Sequence, residues 1–294
     1  RKLDYSIQIS KLFYERFIQN GEISLFSPHD VPGLYDAFGT DAFDDLYVGY
    51  ESDGSIPRKT LKAQDLFLDL LKERAETGRL YIMNIDHCNT HSSFMDKVEM
   101  SNLCQEITLP TKPLKHIDDE NGEIALCILS AINIGKIRDL EDLEILCDLA
   151  VRSLDELIDF QNYPIRAAEI ATKARRSLGI GYIGLAHYLA KNGQQYSDPG
   201  AWKLVHELTE AFQYYLIQST VNLAEEKGAC EYSSRTKYGN GILPIDTYKH
   251  DVDEIVPNEL HYDWENLRQR ILTHGVRNST LSAQMPSESS SVVS

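Results

Sequence analysis

The sequence predicts an α/β fold, because segments with helical periodicity alternate with short apolar runs that suit buried strands. Residues 63–71 carry apolar side chains at helical spacing, and Gly78 ends that pattern. The next residues, 79–85, are mostly apolar and read as a strand. A second apolar run at residues 123–133 is nearly continuous, which is typical of a parallel strand buried on both faces.

Length and composition describe an ordinary globular chain. Its 294 residues fit one large domain or two smaller ones. The net charge of −16 argues against a nucleic-acid binder, because affinity for phosphate backbones depends on clustered Lys and Arg. No apolar run approaches the ~20 residues that span a bilayer, so we expect no membrane association. The chain begins at Arg1 with no signal-peptide pattern, and we expect it to be a fragment of a longer protein.

The cysteines do not suggest a disulfide framework. They are five in number and irregularly spaced, which favours a reducing cytoplasm. Cys127 and Cys147 lie in apolar patterns, where a free cysteine usually packs as a small hydrophobic residue. No Cys-x-x-Cys pair is present, so there is no zinc-ribbon or thioredoxin signature.

The N-terminal third supplies three further predictions. Ile9, Leu12, Phe13 and Phe17 follow helical spacing, with a stop at Asn20–Gly21. Residues 26–33 contain two prolines and a glycine and are predicted to form an irregular loop. Residues 86–91 include His87, Cys88 and His91, which could ligate zinc, but their spacing matches no common zinc pattern. We therefore expect a polar strand end and no metal.

Three later segments complete the pattern of elements. Residues 140–157 place Cys147 on the apolar stripe of a helix, and Asp198-Pro199 begins a long helix that ends at Gly228. Residues 179–184 match G-x-G-x-x-G literally, but the flanking residues do not fit a dinucleotide site. We interpret these glycines as sites of close helix packing.

The segment at residues 101–107 is the first candidate site. It carries an amide, a thiol and a carboxylate at alternate positions, as Asn102, Cys104 and Glu106. In an extended strand these three side chains would point to one face and line one pocket. The alternative is a solvated strand face that carries a stray cysteine.

The second candidate site is near the C-terminus, at residues 277–291. A strand-like run leads to Pro286, which suits the first turn of a helix, and hydroxyl side chains follow. Free backbone N–H groups at a helix start, together with hydroxyl groups, favour an anion such as phosphate. Serine-rich loops are common, so this signal is weak by itself.

Taken together, these segments resemble the catalytic large subunit of class I ribonucleotide reductase, of the aerobic bacterial and bacteriophage type. The resemblance rests on residues 102–106, on Cys127 in its apolar run, and on segments 26–30, 86–91 and 285–290. It covers essentially the whole chain. It implies part of a ten-stranded α/β barrel whose central finger loop carries Cys104, and one incomplete catalytic domain over residues 1–294.

The resemblance also implies roles for individual residues. Cys104 would form a transient thiyl radical that removes the 3′ hydrogen of a ribonucleoside diphosphate. Glu106 would accept the 3′-hydroxyl proton, and Asn102 would hold the hydroxyl groups. Cys127 would be one half of the redox pair that supplies two electrons. Residues with a substrate-binding role would hold the diphosphate: Pro286, Ser287, Glu288, Ser289 and Ser290.

The same resemblance implies what the chain works with. A small subunit with a di-iron centre and a tyrosyl radical would supply the radical, and thioredoxin or glutaredoxin would supply electrons. In the family, the second redox cysteine, the tyrosines that relay the radical and the regions that bind ATP and dNTP effectors lie outside residues 1–294. Flanking pieces of the large subunit are therefore expected partners, either because the chain is truncated or because the subunit is naturally split. The expected location is the cytoplasm, or the host cytoplasm for a bacteriophage protein.

Two alternatives remain open at this point. A non-catalytic nucleotide-binding or assembly fragment could keep the fold and lose the reaction, although Cys104, Glu106 and Cys127 are all present. A cysteine hydrolase would use Cys104 as its nucleophile, and it would need a histidine base for which the sequence carries no family signature.

Overall fold

The computed structural model describes residues 3–257 and 259–293, and the chain divides into two compact units. The first unit is Arg1–Ser92 and the second is Ser93–Ser294. Each unit contains both helices and strands, so the predicted α/β class is confirmed. The expectation of one incomplete catalytic domain over residues 1–294 stays a prediction.

The first unit alternates short strands and helices. Strand β1 (Tyr5–Ile9) pairs parallel with β4 (Leu80–Asn84), and β2 (Glu22–Phe26) pairs antiparallel with β3 (Arg58–Lys62). Buried aromatic and aliphatic side chains from the helices and strands, such as Phe13, Ile23 and Phe43, form its core. The elements are β1 (Tyr5–Ile9), α1 (Lys11–Ile18), β2 (Glu22–Phe26), α2 (Leu34–Ala37), α3 (Ala42–Ser52), β3 (Arg58–Lys62), α4 (Ala63–Thr77), β4 (Leu80–Asn84) and α5 (Ile85–His91).

Most predictions for this unit are confirmed. Helix α4 ends at Gly78, whose left-handed backbone (φ 66°) suits glycine, and β4 follows it. Residues 27–33 form the predicted irregular loop between β2 and α2. Two details were wrong: Ile9 ends β1 and does not begin a helix, and residues 86–91 form most of α5 and not a polar strand end.

In the second unit, β5 (Leu129–Asn133) pairs parallel with β6 (Gly179–Ile183), and a parallel bridge joins Ile180 of β6 to Ser282. Three chain segments therefore lie side by side, with β6 in the centre. The elements are β5 (Leu129–Asn133), α6 (Asp142–Phe160), α7 (Arg166–Arg175), β6 (Gly179–Ile183), α8 (Leu185–Lys191), α9 (Pro199–Lys227), α10 (Pro244–Thr247) and α11 (Trp264–His274), with short 3₁₀ turns at Ile134–Lys136, Ser233–Arg235, Tyr238–Asn240, His250–Glu254 and Ser290–Val292.

The core of the second unit forms between α6, α9, α11 and the strands. Cys147 is fully buried there, so its prediction as a packing residue is confirmed. The long helix predicted from Asp198-Pro199 to Gly228 is α9. Among the described residues, no helix combines the length and apolar character needed to cross a bilayer.

The G-x-G-x-x-G segment has a different role from the one expected. Its first five residues form β6, so the interpretation as helix packing was wrong. A Cβ atom at Gly181 would lie 2.5 Å from the Ala283 carbonyl oxygen, and one at Gly179 would lie 2.6 Å from Leu129 Cδ2. The two glycines therefore let segments on both sides approach the strand closely.

A buried ionic network holds α6, α7 and residues 277–278 together. The Asp155 carboxylate accepts hydrogen bonds from Arg176 Nε at 2.6 Å, Asn278 Nδ2 at 3.0 Å and Arg277 Nε at 3.2 Å. Arg176 adopts a left-handed conformation (φ 48°) directly after α7. The network therefore stabilises a backbone turn that is unusual for a residue with a side chain.

We expect Asp155→Ala to lower stability by about 3–5 kcal/mol, because it leaves two arginines and an amide without their buried partner. The midpoint of thermal or urea unfolding measures this effect. Asp142→Ala is the matched control, because Asp142 begins the same helix and forms a surface ion pair with the exposed Arg138, which precedes the helix. A loss for Asp155→Ala no larger than the control's would contradict the importance of the network.

Candidate active site

The segment with Asn102, Cys104 and Glu106 is a tight turn, not the predicted extended strand. Ser101 and Thr108 form an antiparallel bridge, which brings the two ends of the segment together. The Gln105 N–H donates to the Asn102 carbonyl oxygen at 3.2 Å, and Gln105 has a left-handed backbone (φ 60°). Local hydrogen bonding of the turn therefore overrides the alternation that the sequence pattern predicts.

Within this turn the three polar side chains have different surroundings. The Asn102 side-chain oxygen accepts a hydrogen bond from the Ile107 N–H at 3.3 Å, so the amide closes the loop. Cys104 is exposed at the turn. Glu106 is half-buried, and its Oε2 atom is buried without a hydrogen-bond partner among the described residues. A buried carboxylate oxygen without a partner is costly unless a ligand or water completes the site.

Cys127 lies close to this turn. Burial raises the pKa of the Cys127 thiol, and the nearby Glu106 carboxylate and Cys104 sulfur raise it further. Cys127 was predicted inside a strand, but β5 begins only at Leu129. The structure therefore brings Cys104, Glu106 and Cys127 together, with Cys127 favoured as a neutral thiol.

Residues 107–109 anchor the base of the loop. Ile107 and Leu109 are each 6% exposed. A Cβ atom at Gly179 would lie 3.6 Å from Ile107 Cδ1 and 3.1 Å from Ala283 Cβ. The loop base, β6 and the segment at residue 283 thus pack at one place, where the missing side chain of Gly179 leaves room.

The serine-rich segment is more open. After Pro286 the chain makes a single turn, in which the Ser291 N–H donates to the Ser287 carbonyl oxygen at 2.9 Å, and a 3₁₀ turn covers Ser290–Val292. The predicted helix start is therefore only one short turn within the residues that the structure describes. Glu288 and Ser289 are exposed, and Ser287 is half-buried. In the described residues, no hydrogen bond joins 286–290 to Asn102, Cys104, Glu106 or Cys127.

No metal site emerges at the histidines of residues 86–91. Among the residues that the structure describes, no group of three or more His, Cys, Asp or Glu side chains could hold a metal ion.

Sequence reasoning gave no role to Glu123, which it treated only as the start of an apolar run. The structure shows a buried carboxylate that binds Arg175 at 2.8 Å and Lys112 at 3.0 Å. Although burial alone would raise it, hydrogen bonds from Arg175 and Lys112 hold the pKa of Glu123 below its ordinary value. The signal available in the sequence was an acidic residue at the edge of a run of buried apolar residues.

We expect Glu106→Gln to speed alkylation of Cys127, because it removes a negative charge that raises the pKa of that thiol. Iodoacetamide labelling at neutral pH, followed by mass spectrometry, measures the rate at each cysteine. Asp118→Asn is the control, because it removes one negative charge from an exposed loop position. An unchanged Cys127 rate in Glu106→Gln would mean that the carboxylate does not act on the thiol.

Comparison with known proteins assigns the sequence to a family. The family model described as the ribonucleotide reductase barrel domain matches residues 1–294. The chain is 59% identical over 299 residues to the ribonucleoside-diphosphate reductase subunit alpha of Haemophilus influenzae, covering all of this chain and 40% of that protein. It is 57% identical to the Escherichia coli reductase 1 subunit alpha and 42% identical to the enterobacteria phage T4 subunit alpha, covering all of this chain and 39% of each.

The chain therefore spans about two fifths of the length of the curated relatives that it matches. The family match extends over every segment on which the resemblance was based, including the loop with Cys104 and the strand region after Cys127. The chain belongs to the ribonucleotide reductase barrel domain family.

Proposed function

We propose that this chain is the central part of the catalytic subunit of a class I ribonucleoside-diphosphate reductase, which converts ribonucleoside diphosphates to deoxyribonucleoside diphosphates by thiyl-radical chemistry. The observation that carries the proposal is the proximity of Cys104, Glu106 and Cys127 within a chain that matches the family throughout. In this proposal the turn at residues 102–106 is the tip of the finger loop. Strands β5 and β6 and residues 281–283 are neighbouring strands of the ten-stranded barrel.

The proposed chemistry assigns the first step to Cys104. Its thiyl radical removes the hydrogen atom at C3′, which re-forms the S–H bond and leaves a radical on the substrate. Glu106 accepts the proton of the 3′-hydroxyl group. The unpartnered Glu106 Oε2 supports this role, because a general base needs a free acceptor within hydrogen-bond reach of the proton.

Asn102 and Cys127 complete the site in this proposal. The Asn102 side-chain oxygen is bound to the Ile107 N–H, so the NH₂ group is the part of the amide suited to orient a substrate hydroxyl. Cys127 and a second cysteine outside this chain each lose one electron and one proton and form a disulfide as the 2′-hydroxyl group leaves as water. The raised pKa of Cys127 agrees with a thiol that remains protonated until it is oxidised.

We assign the diphosphate to residues Pro286, Ser287, Glu288, Ser289 and Ser290. Three hydroxyl groups and several backbone N–H groups lie within this exposed turn, and such groups bind phosphate oxygens. Glu288 would repel an anion unless its side chain turns away, and its exposed position allows that.

The remaining parts of the reaction come from partners. We propose a small subunit with a di-iron centre and a tyrosyl radical as the radical source, and thioredoxin or glutaredoxin as the reductant. Flanking pieces of the large subunit would supply the second redox cysteine, the relay tyrosines and the binding sites for ATP and dNTP effectors. The proposed location is the cytoplasm, where a reducing environment keeps the five cysteines available.

Residues 1–294 alone should reduce no ribonucleotide, even with the radical-bearing subunit and a thiol reductant. The reason is that the second redox cysteine and the radical relay would lie outside them. Conversion of CDP to dCDP is the measurement, with the complete large subunit as the positive control. Measurable turnover by residues 1–294 would show that these parts are not needed.

Cys104→Ser and Cys127→Ser should fail in different ways in a complete subunit. Cys104→Ser should abolish both turnover and substrate radical formation, because an O–H bond is too strong to take the place of the S–H bond. Cys127→Ser should still permit loss of the 3′ hydrogen but lack the electron pair for the next step. The substrate would then decompose and release its free base.

Release of free base and nucleotide affinity distinguish the two variants. Both variants should bind substrate normally, since Ser287–Ser290 are unchanged in each. Buried Cys147→Ser offers a comparison at a cysteine that has no proposed role in the reaction. If neither Cys104→Ser nor Cys127→Ser releases base, the assignment of different roles to the two cysteines loses its support.

A further inference from the structure

The two ends of the chain segment that carries the candidate active site meet at a single arginine. Arg175 Nη1 donates to Asp96 Oδ2 at 2.9 Å, while Nε and Nη2 donate to Glu123 Oε2 at 3.0 and 2.8 Å. Asp96 lies six positions before Asn102, and Glu123 lies four positions before Cys127. One guanidinium group therefore joins the entry of the loop to the stretch that leads directly to Cys127.

The arrangement is buried and charged. The side chains of Arg175 and Glu123 are each 3% exposed. Burial opposes ionisation of both carboxylates, but hydrogen bonds from the arginines hold the pKa of Asp96 below its ordinary value, as Arg175 and Lys112 do for Glu123. A buried ion pair is strongly sensitive to loss of one partner, because the other charge is then left without compensation.

Further contacts tie the same two ends to the rest of the unit. Arg235 Nη2 lies 2.9 Å from Asp96 Oδ1, and the Met95 N–H donates to the Arg235 carbonyl oxygen at 2.9 Å. On the other side, Lys112 and Glu123 exchange two backbone hydrogen bonds of 3.1 Å each. Arg175 binds both sides at once.

We propose that Arg175 is a positioning residue, which holds the loop with Cys104 and Glu106 in register with Cys127. This inference rests on the proposed function, in which those three side chains act on one substrate. The planar guanidinium group suits the task, because its fixed fork can bind two carboxylates in defined directions and an ammonium group cannot. Reacting groups tolerate little displacement, so a small shift of the loop would reduce the rate strongly.

The first test measures the loop position without any need for turnover. In the full-length chain, Glu106→Gln should change the alkylation rate of Cys127, because the nearby carboxylate raises the pKa of that thiol. We expect Arg175→Lys to reduce that change to less than about half, as measured by a double-mutant cycle of Glu106→Gln and Arg175→Lys. Arg166→Lys is the matched control, since Arg166 lies on the same helix in an exposed pair with Glu169.

A second variant guards against a general loss of folding. Asp96→Asn is nearly isosteric and weakens the clamp that Arg175 forms with Asp96 and Glu123. It does so only at the loop entry, where the Asp96 side chain is 26% exposed. Its far-ultraviolet circular dichroism should match the unsubstituted protein, while its coupling between Glu106 and Cys127 falls as in Arg175→Lys. Full coupling in folded Asp96→Asn and Arg175→Lys would overturn the proposal.

The second test separates positioning from substrate binding in the complete enzyme. Arg175→Lys should lower kcat by about 10²-fold, while KM for the ribonucleoside diphosphate stays within about twofold. A loss of coupling without a loss of kcat would refute a positioning role in the reaction. If Cys104→Ser retained full activity, the proposed function would fail, yet the alkylation cycle would still decide whether Arg175 sets the loop position.

Discussion

Two consecutive arginines at the end of α7 place their guanidinium groups in different buried clusters, and the arrangement of the second unit depends on this divergence. Arg175 binds Asp96 and Glu123, and Arg176 binds Asp155 and Asp159. The left-handed backbone at Arg176 turns the chain so that the two side chains separate. Strand β6 begins three residues later, and its position is therefore fixed by charges that would be very costly to leave unpaired.

The backbone of the same region positions the segment that leads to the serine-rich turn. The Ser279 N–H donates to the Arg175 carbonyl oxygen at 3.0 Å, and the Leu178 N–H donates to the Thr280 carbonyl oxygen at 3.0 Å. Gly179 and Gly181 then allow residues 281–285 to run close beside β6. The ion pairs of Arg175 and the close packing against the glycines of β6 thus bring two segments to the same strand. These are the loop with Cys104 and residues 281–285, which lead to Pro286.

Much of the fold could be predicted from the periodicity of apolar residues and from the glycine and proline residues at helix ends. The bounds of α4 and α9 followed from apolar spacing together with Gly78, Pro199 and Gly228, and apolar spacing alone indicated the helix that became α6. The turn at residues 102–106 could not be found in this way, since alternation of polar residues fits a strand equally well. Its closure depends on the Asn102 side chain and on the bridge between Ser101 and Thr108, which no periodic pattern reports.

The clamp at Arg175 was missed for a related reason. The sequence shows Asp96, Glu123 and Arg175 far apart, and long-range ion pairs leave no local signature. The buried ion pair of Arg175 and Glu123 helps the site to keep an unpartnered oxygen on Glu106. An unsatisfied buried polar atom costs about 1–3 kcal/mol, which favours any rearrangement of the loop that would find it a partner. A rearrangement that displaced either end of the segment would pull Asp96 or Glu123 away from a buried guanidinium group. Since breaking a buried ion pair costs more, at about 3–5 kcal/mol, the ion pairs oppose any rearrangement of that kind.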